Sequence, residues 1–170
     1  IATWNVNSVT ARLPRVVDWL QQTGTDVLCL QETKVADTAF PALPLEEIGY
    51  ETAHFGQGRW NGVAVVSRVG IADVEHGFTD CPGFPEPADV EARAIGATCG
   101  GVRVWSFYVP NGRTPEDPHY AYKLDWLANL TEDTRRWLED DPELPLALMG
   151  DFNIAPLDID VWDIAAFAGK

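Results

Sequence analysis

The sequence predicts an α/β fold, in which buried strands form sheets and helices cover them. Four apolar runs, residues 2–7, 27–32, 104–111 and 146–153, each end in polar residues of catalytic types. Such unbroken runs are typical of strands that are buried on both faces. In addition, a strand, a helix and a second strand follow one another within about thirty residues, as in a crossover unit. At this level a doubly wound parallel sheet is as acceptable as any other layered arrangement.

The first helix follows the first strand directly. Ser8 or Thr10 can cap it, Gly24 ends it, and its apolar stripe consists of Leu13, Val16, Val17 and Leu20. Residues 26–31 predict the second buried strand. An irregular stretch, residues 35–44, leads to a short helical turn at residues 45–48. Residues 50–55 and 62–67 predict two strands joined by an exposed glycine-rich loop, residues 56–61.

The second half of the chain begins with a break at residues 82–89, which contain three prolines and one glycine. Residues 92–98 and 102–109 predict a hairpin that turns at Gly100 and Gly101. A long helix follows Pro118, with a predicted inward face of Tyr120, Leu124, Leu127, Leu130, Thr134 and Leu138. Residues 146–149 predict the last strong strand. Residues 163–167 are helical in pattern, and Gly169 and Lys170 follow without a closing strand.

Length and composition indicate one globular domain over residues 1–170. The chain has 170 residues, of which 46% are hydrophobic and 22% are charged. No apolar stretch reaches the roughly 20 residues of a membrane span, and no export signal is visible, so we expect a cytoplasmic protein without a membrane partner. The 3 cysteines are odd in number and lack a C-x-x-C spacing, which argues against both a disulfide framework and a zinc site.

The charge balance restricts the choice of functions. There are 12 Lys and Arg residues against 26 Asp and Glu residues, so the net charge is -14. This balance counts against a simple DNA-binding module, which would have a basic surface. It does not exclude an enzyme that binds a phosphodiester through a divalent cation. The acidic residues at positions 133, 139, 140, 141 and 143 are predicted to form a solvated surface.

Pairs of polar residues at the strand ends indicate one shared site. Asn5 with Asn7, and Asp151 with Asn153, are two apart in sequence, so each pair presents its side chains to one face of a strand. Mg²⁺ takes oxygen ligands, which Glu32, Asp151 and the asparagines could supply. Two alternatives stay open: Asn and Asp also terminate strands as turn formers, and Asn5 and Asn7 could satisfy buried backbone groups.

Five motifs carry a resemblance to a known family. They are Trp-Asn-Val-Asn-Ser at 4–8, Leu-Gln-Glu-Thr-Lys at 30–34, Asn-Gly-Val-Ala at 61–64, Tyr-Val-Pro-Asn-Gly-Arg at 108–113 and Gly-Asp-Phe-Asn-Ile-Ala-Pro at 150–156. In order and spacing they resemble exonuclease III and the related abasic-site endonucleases of the endonuclease/exonuclease/phosphatase superfamily. The segment His-Tyr-Ala-Tyr-Lys-Leu at 119–124 resembles bacterial members of the same family.

The resemblance implies a four-layered α/β sandwich, with two packed mixed, mainly antiparallel sheets flanked by helices. It also implies Mg²⁺-dependent cleavage of phosphodiesters in double-stranded DNA, at abasic sites or at 3′ ends. Mn²⁺ is the alternative cofactor, and we expect a monomer.

Metal and base roles follow from the resemblance residue by residue. Glu32 would be the principal metal ligand, with Asn7 nearby. Asp151 would orient or deprotonate the attacking water, and Asn153 and Asn5 would position that carboxylate or the phosphate.

Phosphate contacts form a second group of expected roles. Tyr108 and Asn111 would donate hydrogen bonds to the non-bridging phosphate oxygens as charge develops there. Arg113 follows the Asn111 turn and is predicted to contact a phosphate. Arg59 and Trp60 combine a cation and an aromatic ring on one loop, which suits contact with the DNA backbone.

One expected element is absent from the sequence. The family's closing Ser-Asp-His motif has no counterpart, and His54, His76 and His119 are interpreted as a strand-end, a loop and a pre-helix residue, with surface or capping roles. We therefore expect a catalytic domain that is incomplete at its C-terminus and lacks the catalytic histidine. Two alternatives are a phosphodiesterase or phosphatase acting on phosphoesters other than DNA, which the acidic balance suits slightly better, and a non-catalytic binding fragment.

Overall fold

Two four-stranded sheets form the centre of the computed structural model, which describes residues 1–84 and 90–167. Sheet 1 has the order β1-β2-β4-β3, with β1 Ala2–Asn5, β2 Val27–Gln31, β3 Glu51–Phe55 and β4 Val63–Ser67. Sheet 2 has the order β5-β6-β7-β8, with β5 Ala72–His76, β6 Ala94–Cys99, β7 Val102–Tyr108 and β8 Leu146–Asp151. The helices are α1 Val9–Thr23, α2 Leu43–Glu46, α3 Pro118–Asp140 and α4 Ile164–Phe167.

Strand directions decide between the fold classes. Only the pairs β1/β2 and β7/β8 are parallel among the described strands, and the other four pairs are antiparallel. A doubly wound parallel sheet is therefore wrong, and the mixed, mainly antiparallel two-sheet arrangement is confirmed. The parallel pairs lie at one edge of each sheet, and β1 contacts β8 where these two edges meet.

Three apolar clusters define four layers. Alternate residues of the buried strands point to opposite faces, so Leu28 and Leu30 of β2 pack toward α1 while Val27 and Cys29 pack toward sheet 2. In sheet 2 the same alternation directs Val104 toward sheet 1, and Trp105 and Phe107 toward α3. Because both faces of the central strands are covered, their sequences are apolar without a polar face.

Helix α1 is bounded as its sequence predicts. The Ser8 hydroxyl accepts a hydrogen bond from the Ala11 amide at 3.4 Å, so Ser8 is the N-cap and Thr10 lies inside the helix. Gly24 ends the helix in the left-handed conformation, at φ 58°, and its amide donates to the Leu20 carbonyl at 2.9 Å.

The predicted inward face of α3 is correct at Leu127 and Leu130, which lie in the core contact, but wrong at most of its other positions. The helix buries Tyr122, Trp126, Leu130 and Asp133, whereas Tyr120, Leu124 and Leu138 are 38%, 50% and 42% exposed. Trp126 packs edge-on against Phe78 and Phe107, and a tryptophan at the centre of the contact buries more apolar area than the leucines of the alternative stripe.

Two further expectations are corrected. Asp133 is not solvated. Its carboxylate accepts a hydrogen bond from the Thr79 backbone amide at 2.8 Å and is buried between α3 and the loop that contains Thr79. His76 is not in a loop but ends β5, where it stacks on Phe55 at a ring distance of 4.7 Å. Strand β5 was not predicted, because all five of its residues are exposed at a sheet edge and show no apolar alternation.

Several boundaries agree with the predictions, including the hairpin β3/β4 and the Gly100-Gly101 turn between β6 and β7. Part of the predicted proline-rich break, residues 85–89, and the terminal residues 168–170 lie outside the described residues. Within the described part of the chain, no helix is both long enough and apolar enough to cross a membrane.

Candidate active site

The four polar strand ends meet at one place, where the parallel edges of the two sheets touch. Asn5 ends β1, and its register partner in the parallel strand β2 is Gln31, which Glu32 directly follows. Tyr108 ends β7 and Asp151 ends β8, and these two residues are register partners. Because β1 also contacts β8, the side chains from both sheets converge.

The amide of Asn5 joins the two carboxylates. Its Nδ2 donates to Oε1 of Glu32 at 2.7 Å and to Oδ2 of Asp151 at 2.8 Å. These two oxygens are therefore no farther apart than the sum of the two distances, about 5.5 Å. The oxygen of the same side-chain amide, Oδ1, accepts a hydrogen bond from the backbone N–H of Asn7 at 3.0 Å, which fixes the orientation of the Asn5 side chain. The predicted meeting of Glu32 with Asp151 is thus present in the structure.

Lys34 occupies the other side of Glu32. Its Nζ lies 2.8 Å from Oε2 of Glu32 and donates to Oδ1 of Asn7. Burial raises the pKa of Glu32, but the hydrogen bonds from Lys34 and Asn5 and the positive charge of Lys34 outweigh it, so the pKa lies below its usual value. Glu32 is therefore held as a carboxylate.

The Asp151 carboxylate is also held from two sides. Besides the contact with Asn5, Oδ1 of Asp151 accepts a hydrogen bond from the backbone N–H of Asn153 at 3.0 Å. Asn153 donates through Nδ2 to the Val109 carbonyl at 2.9 Å, and Nδ2 of Asn111 lies 3.4 Å from its Oδ1. Lys123 reaches this corner from α3, and its Nζ donates to the Asn153 carbonyl at 2.5 Å.

Tyr108 is half-buried and lies near enough to Glu32 for the two groups to shift each other's pKa. Burial and the negative charge of Glu32 raise the pKa of Tyr108 to about 12. The phenol is therefore neutral at physiological pH and retains a proton that it can donate.

An open groove of about 690 Å³ extends from Asp151. It is lined by Asn111, Arg113 and residues 150–155. The guanidinium of Arg113 is exposed and lies 3.3 Å from Asp117, so it stays available at the rim. The groove is the place where the predicted phosphate donors Asn111 and Arg113 meet the carboxylate.

Arg59 and Trp60 lie apart from this group. Both are exposed on the loop between β3 and β4, and the Arg59 guanidinium stacks over the Trp60 ring at 5.2 Å. Among the described residues, no hydrogen bond or ion pair connects either side chain to the carboxylates. The loop itself is attached to the site, because the Lys34 amide donates to the Asn61 carbonyl at 3.0 Å.

Backbone strain is concentrated around the carboxylates. Four residues here have positive φ values, which residues other than glycine rarely adopt. They are Glu32 at 54°, Lys34 at 55°, Asn7 at 42° and Asn153 at 51°. Such conformations cost about 1 to 3 kcal/mol each, persist only when surrounding contacts enforce them, and are enriched at functional sites.

The histidines have other surroundings than the sequence suggested. His54 is largely buried rather than superficial: its Nε2 lies 2.8 Å from the Thr33 hydroxyl. Its Nδ1 lies 2.8 Å from the Asp37 carboxylate, an ion-pair distance without the alignment of a hydrogen bond. His119 lies within the first turn of α3, not before it, and pairs with Asp117.

The donor set fits a hard divalent cation. In residues 1–84 and 90–167, no three Asp, Glu, His or Cys side chains form a cluster, so a metal here would need amide oxygens and water in addition to carboxylates. Mg²⁺ is held in this way by one or two carboxylates together with other oxygen ligands. The atoms that Glu32, Asp151 and Asn7 could offer as metal ligands are all oxygens. The ammonium group of Lys34 contacts both Glu32 and Asn7, which shows that these oxygens are directed at a positive charge.

Two site residues were not predicted from the sequence. Lys34 and Lys123 were part of the quoted motifs but received no role. A signal was present, because the chain has only three lysines and a net charge of -14, and two of those lysines fall inside the motifs.

Comparison with known proteins agrees with this geometry. Residues 2–169 match the endonuclease/exonuclease/phosphatase family. The chain is 30% identical over 164 residues to exodeoxyribonuclease III of Haemophilus influenzae, covering 94% of this chain and 59% of that protein. It is 30% identical over 167 residues to the DNA repair nuclease APEX1 of Danio rerio, covering 95% of this chain and 51% of that protein.

Solved structures show the same arrangement. A 3′-5′ exonuclease (NExo) from Neisseria meningitidis superposes with a TM-score of 0.85 at 42% identity, over 97% of this chain and 62% of that one. The 3′ phosphatase NExo from Neisseria, in complex with a product DNA hairpin, has the same TM-score at 40% identity, over 97% of this chain and 62% of that one. An AP endonuclease from Archaeoglobus fulgidus has a TM-score of 0.82 at 36% identity, with 97% and 61% covered.

The fold and the comparisons together define the class, a two-sheet α/β domain with carboxylates where the sheet edges meet. The chain belongs to the endonuclease/exonuclease/phosphatase family, as the motifs indicated. Its matched relatives are nucleases of the exodeoxyribonuclease III and AP endonuclease type. The chain spans between 51% and 62% of the length of the relatives described here.

Proposed function

We propose that this chain carries the catalytic site of a Mg²⁺-dependent DNA nuclease that cleaves phosphodiesters at abasic sites or at 3′ ends. One observation carries the proposal: a single amide, Asn5, holds Glu32 and Asp151 at the junction of the two sheets. Two carboxylates within about 5.5 Å of each other form the oxygen-rich site that phosphodiester cleavage by a hard cation requires.

Electrostatics support a cation as cofactor. A phosphodiester is an anion, and it would approach two carboxylates in a chain with a net charge of -14. A bound Mg²⁺ would neutralise charge on the phosphate and make the attacking water more acidic. Glu32 and Asn7 would hold the ion, with Mn²⁺ as an alternative, because their oxygens already face a positive group.

Asp151 suits the role of general base. Its carboxylate accepts hydrogen bonds from Asn5 and from the Asn153 amide, so it has one fixed orientation and still borders the open groove. A carboxylate held in this way can orient a water molecule and take its proton as the phosphorus is attacked.

Proton donors surround the place where the phosphate would lie. The neutral Tyr108 phenol and the Asn111 amide can donate to non-bridging oxygens, and such preorganised donors stabilise the charge of the transition state. Asn153 would orient Asp151 and Asn111, which it contacts on either side. Arg113 adds an exposed positive charge at the rim of the groove.

The exposed pair of Arg59 and Trp60 would contact the DNA backbone away from the scissile bond. An arginine stacked on a tryptophan at 5.2 Å presents both charge and an aromatic face to a sugar-phosphate chain. The names of the relatives support DNA as substrate, and the neighbours at 40% and 42% identity are named for activities at 3′ ends. We therefore include 3′-end processing together with abasic-site incision.

The test uses the full-length protein and three duplex DNA substrates: one with an abasic analogue, one with a 3′ phosphate and one with a recessed 3′ hydroxyl end. We expect cleavage of at least one of them with Mg²⁺ and none with EDTA. Glu32→Gln and Asp151→Asn should each reduce kcat by several orders of magnitude.

Glu132→Gln, on the exposed outer face of α3, is the matched control and should cleave like wild type. The proposal fails if no DNA substrate is cleaved. Hydrolysis of inositol phosphates or of a phosphodiester lipid in a parallel assay would then favour the alternative phosphoesterase, and Mg²⁺ or DNA affinity without turnover would favour a binding protein.

A further inference from the structure

A buried ion pair lies behind Tyr108, outside the groups to which any role has been given. Nε of Arg93 donates to Oε2 of Glu91 at 2.7 Å, and the Arg93 side chain is only 10% exposed. Arg93 directly precedes β6, and Glu91 lies two residues before Arg93. Ion pairs in such surroundings contribute little net stability, because desolvation of the charges offsets their attraction. A geometric function is therefore a better explanation than stability for this pair.

Arg93 holds Tyr108 in three ways. Its guanidinium lies over the Tyr108 ring at 4.9 Å from the centroid. Its Nη1 donates to the Tyr108 carbonyl at 3.3 Å, and the Tyr108 amide donates to the Arg93 carbonyl at 2.8 Å. The ring is thus fixed from one face and from its own backbone, at the end of β7 beside its register partner Asp151.

Glu91 connects the same arginine to two other parts of the fold. Its Oε1 accepts a hydrogen bond from Nδ2 of Asn61 at 2.8 Å, and its Oε2 accepts one from the Tyr122 hydroxyl of α3 at 3.0 Å. The Asn61 carbonyl in turn accepts the Lys34 amide at 3.0 Å. One carboxylate therefore links the orientation of Arg93 to the segment that carries Glu32 and Lys34.

We propose that Arg93, held by Glu91, is a positioning residue that sets the Tyr108 ring against Glu32 for phosphate binding in the transition state. The inference rests on the proposed nuclease function. Because Arg93 is buried behind the ring, it acts through Tyr108 and not by touching DNA. Loss of its planar group should therefore lower kcat and leave substrate binding unchanged.

Arg93→Lys is the informative variant. Lysine keeps the positive charge near Glu91 but lacks the planar guanidinium that covers the ring and reaches the Tyr108 carbonyl. The chain offers a matched control in Arg103, which is 12% exposed, pairs with Glu75 at 2.9 Å and lies over the Trp105 ring at 5.0 Å. Arg103 lies at the opposite end of β7, so Arg103→Lys makes the same chemical change away from the site.

We expect Arg93→Lys to reduce kcat by about tenfold to a hundredfold, as misplacement of a reacting group does, with KM for DNA within about twofold of wild type. Arg103→Lys should leave both constants within about twofold. In protein labelled with ring-¹³C tyrosine, the Tyr108 resonance should shift in Arg93→Lys and stay in place in Arg103→Lys, without metal or DNA present.

The outcomes separate this inference from the function on which it rests. An unchanged kcat, or a raised KM at unchanged kcat, overturns the positioning role of Arg93. If wild type cleaves no DNA, the nuclease function fails, and the Tyr108 resonance alone then decides whether Arg93 orients the ring. If Arg93→Lys does not fold, Glu91→Gln takes its place, because it keeps the shape of the ion pair and removes the negative charge. Glu91→Gln should then show the lower kcat and the shifted Tyr108 resonance. Wild-type values of both would refute the inference.

Discussion

Replacing Asn5 with alanine removes the amide nitrogen that contacts both Glu32 and Asp151. In wild type, that nitrogen offers one N–H to each carboxylate, at 2.7 and 2.8 Å. In Asn5→Ala the two negative groups face each other across a gap that only water can fill. We expect lower stability without metal and a much lower rate of DNA cleavage.

The magnitude follows from the distance. Two unit charges at most about 5.5 Å apart repel each other by at least about 0.8 kcal/mol in a water-like dielectric and by at least about 3 kcal/mol at an effective dielectric constant of 20. Because both carboxylates are half-buried, we expect a value between these limits, a loss of about 1 to 3 kcal/mol in the free energy of unfolding. Mg²⁺ held by Glu32 and Asn7 would supply positive charge near both carboxylates, so its binding should offset most of this loss.

The assay is urea unfolding of the full-length wild type and Asn5→Ala in EDTA and then in excess Mg²⁺, followed by DNA cleavage. Asn5→Ala should also reduce kcat by about a hundredfold, because the base and the metal ligand lose their common support.

Asn111→Ala serves as the stability control, because its Nδ2 contacts a neutral amide at 3.4 Å and lies between no carboxylates. It should change the free energy of unfolding by less than about 0.5 kcal/mol. The reasoning is refuted if Asn5→Ala is as stable as this control in EDTA, or if Mg²⁺ fails to narrow the difference from wild type.

Three further predictions concern the supporting structure. Asp133→Ala removes a buried carboxylate that accepts a hydrogen bond from the Thr79 backbone amide and pairs with Arg136, and should cost about 1 to 3 kcal/mol, measured by thermal unfolding. Gly62→Ala places a methyl group 2.0 Å from the Thr33 hydroxyl at a φ of 93°, so it should destabilise the fold and lower cleavage together. Burial lowers the pKa of His54 despite the nearby Asp37 carboxylate, so the unfolded chain binds a proton at this residue more readily than the folded protein does. The contribution of His54 to the free energy of unfolding should therefore be complete above about pH 6.5 and should decline as the pH falls below that value.

Each of these has a direct check. Asp140→Ala, an exposed change near the end of α3, should leave the melting temperature within about 1 °C of wild type. Gly58→Ala, in open space on the same loop as Gly62, should be milder than Gly62→Ala despite its own positive φ. His54→Gln should flatten the pH dependence of urea unfolding below about pH 6.5, and an unchanged slope would show that His54 is not its source.

The convergence of the polar strand ends could be predicted from the sequence because strand ends are local features. The apolar runs before Glu32 and Asp151 define where the chain leaves a sheet, and the motifs identify the polar residue at each exit. The roles assigned to Asn5, Tyr108 and the other site residues stay predictions, since the structure shows their proximity and not their chemistry.

The errors have a common cause. The stripe on α3 that contacts sheet 2 was chosen by periodicity, but two stripes of similar apolar content share Leu130, and only the contact with Phe78 and Phe107 selects Trp126. Asp133 was predicted to be a surface residue because the group that donates a hydrogen bond to it, the Thr79 backbone amide, lies in a loop more than fifty residues earlier in the sequence.

Patterns along the chain were sufficient for what depends on neighbours in sequence: the buried strands, the end of α1 at Gly24, and the polar residue at each strand end. Which strands pair, in which direction, and how the sheet edges meet depend on contacts between distant segments, whose energy no local pattern encodes. For that reason the placement of β1 beside β8, the sharing of Asn5 between two carboxylates and the support of Tyr108 by Arg93 became visible only in the folded molecule.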